Sequence, residues 1–171
     1  MYTPTVSILA RLAPALVAVA VATTAAPGPA HADVSKKVIA TFKGKILVTA
    51  SPLEAGGDDK GTIADWKKKA VTSVKGQVNG NDVQEWTFNY TAFLGKLGAT
   101  SLTLEFYDGD KYAANRMLTG IDPKDPVLEG DITIDEDEGL TKGKRYTLKL
   151  VGKVKGKEVT VAATAGAITM E

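Results

Sequence analysis

From Val38 to the C-terminus, apolar and polar residues alternate with a period of two, the pattern of strands whose successive side chains point to opposite faces. The first stretch puts Val38, Ala40, Phe42, Ile46, Val48 and Ala50 on one side, with Gly44 read as a bulge. A loop rich in Gly and Asp follows at 51–62, and residues 70–78 read as a second strand. Asn79-Gly80-Asn81-Asp82 is hairpin-turn chemistry, because Asn, Asp and Gly tolerate the left-handed backbone of tight turns. Residues 83–93 then turn Trp86, Phe88, Tyr90 and Ala92 inward, and residues 100–107 do the same with Leu102, Leu104 and Phe106. Asp108-Gly109 opens another turn, a weaker strand runs over 112–118, and Pro123 and Pro126 mark a loop. Residues 127–134, 144–154 and 159–170 complete the set, the last two joined at Lys155-Gly156-Lys157. This spacing predicts an all-β fold, a single antiparallel β-sandwich of seven to eight strands. One segment has a second reading: Ile63, Trp66, Ala70, Val71 and Val74 also share a helical face.

The N-terminus departs from this pattern. Arg11 is the only charged side chain before Asp33, residues 12–22 are apolar, and Ala30-His31-Ala32 has the small-x-small form that a signal peptidase accepts. The uncharged run from Leu12 to Ala26 is 15 residues, short of the roughly 20 that a bilayer core demands, and Pro14 interrupts it. Residues 1–32 therefore read as a cleaved signal peptide and residues 33–171 as one exported domain, periplasmic or secreted, with no transmembrane segment. No cysteine is present to carry a lipid anchor.

Cleavage after Ala32 removes Arg11 and His31, so 20 basic residues balance 20 acidic ones. A neutral domain gives no reason to expect nucleic acid as a partner. Without His or Cys, the domain has no Ser-His-Asp triad, no thiol nucleophile and no ordinary zinc or copper site. Carboxylates, Lys, Tyr and oxygen-loving cations such as calcium are what is left. No acid and base are placed for glycoside hydrolysis, and the expectation is a binding module rather than an enzyme. Charge is segregated: residues 129–138 hold six acids and no base, residues 142–157 seven bases and no acid. Solvated strand faces and edges account for such runs. The sharper reading is a basic strip for anionic lipid or polysaccharide. The run Asp135-Glu136-Asp137-Glu138 reads as a hydrated loop, and Trp86, Phe88 and Tyr90 read as core.

Two aspartate groups carry the remaining chemistry. Asp59 and Asp65 sit six apart around Gly61, and Asp108-Gly109-Asp110 ends the strand Leu102-Thr103-Leu104-Glu105-Phe106-Tyr107. Calcium takes six to eight oxygen ligands from adaptable loops, so the two groups could share a cation if their loops met at one end of the sandwich. The sequence here resembles the C2 domain, the calcium- and phospholipid-binding β-sandwich. Leu102 to Asp110 is similar to that family's strand and aspartate loop, Trp86-Thr87-Phe88-Asn89-Tyr90 to its aromatic strand, and Gly120 and the segment 156–164 fit as well. The resemblance implies calcium held by Asp59, Asp65, Asp108 and Asp110, bridging to an anionic lipid or polysaccharide surface, with Lys67, Lys68 and Lys69 adding attraction. Arg116 stands where the family places a further acid, and Trp66 where it places Pro, so a cation at Arg116 could neutralise the carboxylates instead of metal. A second stretch, Leu140 to Leu148, resembles the corner of fibronectin type III and immunoglobulin-like sandwiches. That resemblance implies that the Tyr146 hydroxyl bonds back to the backbone, in a structural or adhesion domain without metal.

Overall fold

The computed structural model describes residues 34–171 apart from Ile121 and Pro123; the signal peptide expected over 1–32 lies outside the described residues. The first described element is a helix, α1 (Lys36–Phe42), where a strand was expected. Val38 and Phe42 are spaced by four, which suits one face of a helix as well as one face of a strand. Local signals decide between them. The Ser35 side chain caps the helix by accepting from the Val38 N–H, and Gly44, at φ +76°, turns the chain out of it. The strand begins only afterwards, as β1 (Lys45–Thr49). A second helix, α2 (Asp59–Lys69), replaces the latter part of the expected loop. Asp58 caps it by accepting from the Gly61 N–H at 2.7 Å, and Lys67, Lys68 and Lys69 in the last turn complement the helix dipole. The helical face noted at Ile63 and Trp66 thus forms, with Trp66 fully buried.

Strands follow as β2 (Ser73–Val74), β3 (Gly76–Val78), β4 (Gln84–Phe93), β5 (Ala99–Asp108), β6 (Lys111–Leu118), β7 (Val127–Asp135), β8 (Arg145–Val154), β9 (Lys157–Thr164) and β10 (Ile168–Met170). The expected strand over 70–78 is two short ones, and the expected last strand breaks at 165–167. The ten strands form one sheet. Its main path runs β6-β5-β8-β9-β1-β4-β7, with β3 beside β4, and β10 and β2 continuing from β8. The sheet is mixed: β1 pairs with β9 in parallel, and β2 with β10 in parallel, while the other pairings are antiparallel. The purely antiparallel expectation is corrected here. Hairpin logic reads neighbours in sequence, and these two pairings join segments far apart in the chain.

The sheet curls into two facing layers. β4 and β5 share no ladder, yet Phe88 and Phe106 meet edge to face at 6.4 Å. Trp86, Phe88, Leu102, Leu104, Phe106, Tyr146, Leu148 and Met170 lie in the single core between the layers, the strand parity read from the sequence. β6 and β7, the two ends of the main path, are tied by Arg116, which donates to the Thr133 carbonyl at 2.8 Å and to Glu138 at 2.6 Å. A second core lies outside the curl, where α1 and α2 cover Leu47, Phe93 and Val127. There Phe42, Trp66 and Phe93 pack ring on ring at 5.1 to 5.9 Å. The Trp66 indole N–H donates to the Glu54 carbonyl, which removes the cost of burying it. Gly76 is required by close approach: a Cβ there would come within 2.8 Å of the Glu85 carbonyl and 2.7 Å of the Trp86 indole nitrogen.

Candidate functional site

The four aspartates expected to share a cation sit on one helix and one turn. Asp59 opens α2 and Asp65 lies six residues on, about one and two-thirds helical turns, so their side chains leave the helix in different directions. Asp65 is taken by Lys69 at 2.7 Å. Asp108 ends β5, Asp110 lies in the turn to β6, and the Lys144 ammonium donates to Asp108 at 3.1 Å. That hydrogen bond, with the attraction of the same carboxylate, holds Lys144 above the usual lysine pKa. The structure places Asp59 and Asp65 on α2 and Asp108 and Asp110 at the β5–β6 turn, and among the described residues no three Asp, Glu or His side chains gather as ligands for a metal ion. Arg116 is not among these aspartates; it holds Glu138 and the β7 backbone. The run from Asp135 is solvent-exposed from Glu136 on, as expected, and is ordered as one 3-10 turn in which Asp135 and Glu138 form a capping box.

A different arrangement stands on the outer face of β6, β5, β8 and β9, away from the two helices. Strand parity sends Thr103, Glu105 and Tyr107 of β5 outward, because Leu102, Leu104 and Phe106 are buried. β8 likewise turns Arg145, Thr147, Lys149, Val151 and Lys153 outward between Tyr146, Leu148, Leu150 and Gly152. In register, Glu105 lies opposite Lys149 on one side and Asn115 on the other, and Tyr107 lies opposite Thr147 and Tyr112. These neighbours lock one another. The Tyr107 hydroxyl donates to Glu105 at 2.7 Å, and this bond, with lesser help from burial, raises the phenol above its ordinary pKa. Lys149 Nζ stands 4.0 Å above the centre of the Tyr107 ring. Tyr112 meets Tyr107 edge to face at 6.0 Å, and the Asn115 amide donates to the Tyr112 hydroxyl. Tyr112 and Met117 are nonetheless exposed, at 53% and 68%.

The face is thus a pair of fixed aromatic rings beside a file of cations. Arg145, Lys149 and Lys153 recur every four residues along one strand, about 13 Å apart. The β4–β7 layer carries the opposite sign on its outer side, with Glu85, Glu129, Asp131 and Asp135 on the two strands. Sequence reasoning placed the basic run but missed Tyr107, Tyr112 and Asn115 as one cluster. Parity alone marked Tyr107 as outward, whereas its pairing with Tyr112 depends on a register shift after Phe106.

No family model matches this chain. No curated protein and no solved structure matches it either.

Proposed function

We propose that residues 33–171 are an exported, non-enzymatic binding domain that holds an acidic polysaccharide on the outer face of β6, β5, β8 and β9. The observation that carries this reading is the locked pair Tyr107 and Tyr112 beside the cation file of β8. Sugar rings present C–H faces that pack on aromatic rings, and hydroxyls that suit Thr103 and Thr147 and, opposite Val151 on β9, Thr160. Carboxylates on the polymer pair with Arg145, Lys149 and Lys153. Rings that are already immobilised lose little conformational entropy on binding. Glu105 and Glu158 lie on this face opposite Lys149 and Lys153, while the acidic row Glu85, Glu129, Asp131 and Asp135 lies on the β4–β7 layer, so the net attraction for an anionic polymer is on the β8 side. The surface-binding character implied by the C2 resemblance is kept, while the contact moves from loop tips to a sheet face. Calcium has no part in this reading, since Asp65 and Asp108 each already face a lysine.

Affinity electrophoresis through gels containing polygalacturonate, with neutral dextran gels as reference, tests it. Retardation in the acidic gel only, lost in a Tyr112→Ala, Lys149→Ala double variant, is the expected result. Equal mobility in both gels contradicts it.

A further inference from the structure

We infer that the protein has a second, unrelated binding site, a groove beside α1 that takes the chain of a free fatty acid with its carboxylate on a rim lysine. The groove holds about 350 Å³, within the range of small-molecule sites. Its walls are Ile39 and Ala40 of α1, Leu94 and Leu97 of the β4–β5 connection, and Pro126, with Lys36 and Lys43 on the rim. The floor offers a ligand few polar groups, because its amides are already satisfied. Leu94 N–H donates to the Pro126 carbonyl at 2.8 Å, Gly95 N–H to the Val161 carbonyl at 2.7 Å, and Gly44 N–H to the Phe93 carbonyl at 2.7 Å. Gly95 packs closely on β9, since a Cβ there would press on the Val161 carbonyl at 3.1 Å. Leu97, almost half exposed at 48%, is a large apolar side chain left in water at the groove wall.

The charge pattern selects the occupant. Among the described residues no acid lines the groove. Lys36 begins α1 and Lys43 caps its C-terminal end, seven residues on, about 10 Å along a helix, and neither is ion-paired among the described residues. An apolar trough with a cation at each end complements one alkyl chain bearing one anion. A sugar polymer would leave its hydroxyls facing Ile39, Leu94 and Pro126 unsatisfied. Burial of the chain in the trough supplies affinity, and the lysine supplies the preference for an acid over a neutral head.

Titration of the full chain with monomeric dodecanoate, below its micelle concentration, reads this directly by calorimetry. The expected result is saturable one-to-one binding, about tenfold weaker for dodecanol. Lys36→Ala with Lys43→Ala removes that preference, and Leu97→Asp abolishes binding. All three positions are exposed, so an unchanged melting temperature separates lost binding from lost fold. Equal affinity for acid and alcohol overturns the inference. So does an absence of saturable binding, or attachment only to vesicles containing phosphatidylglycerol while monomeric dodecanoate has no effect. Polygalacturonate retardation is unaffected by these variants, so this site and the sheet face stand or fall separately.

Discussion

Lys149 stands over the ring of Tyr107 at 4.0 Å, and the two come from neighbouring strands, β8 and β5. The contact places a cation on a ring that Glu105 also holds by its hydroxyl. Three outward side chains thereby lose their freedom in the folded protein without any of them being buried. This ordering of exposed aromatic rings is the feature on which the proposed function rests.

On the proposed function, the outward cluster contributes to binding and little to stability. Tyr112→Ala, at a position 53% exposed, is expected to shift unfolding free energy by no more than about 0.5 kcal/mol while weakening polygalacturonate binding about tenfold. Urea denaturation and gel retardation read the two effects. The remaining affinity should fall as salt is raised from about 0.01 M to 0.15 M, where the screening length shortens from about 30 to 8 Å.

Tyr146 is 1% exposed, and its hydroxyl accepts from the Thr141 N–H at 2.9 Å. Tyr146→Phe keeps the ring and leaves that amide unpaired, which should cost about 1–2 kcal/mol. Urea unfolding is the measurement, with Thr147→Ala, on the outward side of the same strand, as the mild reference.

Trp66 joins the helices to the sheet through Phe42 and Phe93. Trp66→Ala should destabilise by about 3–5 kcal/mol, through both the vacated volume and the Glu54 carbonyl left without its donor. Calorimetric unfolding tests this. A loss under about 1 kcal/mol would mean that the two helices are not part of the cooperative unit.

Strand parity carried most of the inner core into view from sequence. Trp86, Phe88, Leu102, Leu104 and Phe106 each fall on the inward side because long strands repeat the two-residue period many times. α1 was illegible by the same rule: Val38 and Phe42 fit both periods over seven residues, and only Ser35 and Gly44 distinguished them. α2 was half visible, as a helical face at Ile63 and Trp66, while Asp58 as its cap was read as loop. The parallel pairing of β1 with β9 joins residues about 118 positions apart (Lys45 with Ala163) and leaves no local trace. For the site, residue parity could place Tyr107 and Lys149 on the same outer side. The bulge that sets Tyr112 beside Tyr107 could not be read from one chain.

Burial, with the nearby Asp131 carboxylate adding to it, pushes the Tyr90 phenol from 10.0 up to about 12. The unfolded chain therefore loses this proton first. Stability from the neutral phenol is fully present below pH 10 and declines as pH rises toward 12, by about 2–3 kcal/mol at most. Urea midpoints on either side of pH 10.0 read the decline, and Tyr90→Phe should flatten it.

Nuclear magnetic resonance on the nitrogen-15-labelled protein, titrated with short oligogalacturonates, tests the central claim most directly. The account predicts amide shifts concentrated at Glu105, Tyr107, Tyr112, Asn115, Lys149 and Lys153, with α2 and the β4–β7 layer unmoved. Shifts centred on Asp59, Asp65 or the β7 strand, or none at saturating oligosaccharide, would contradict it.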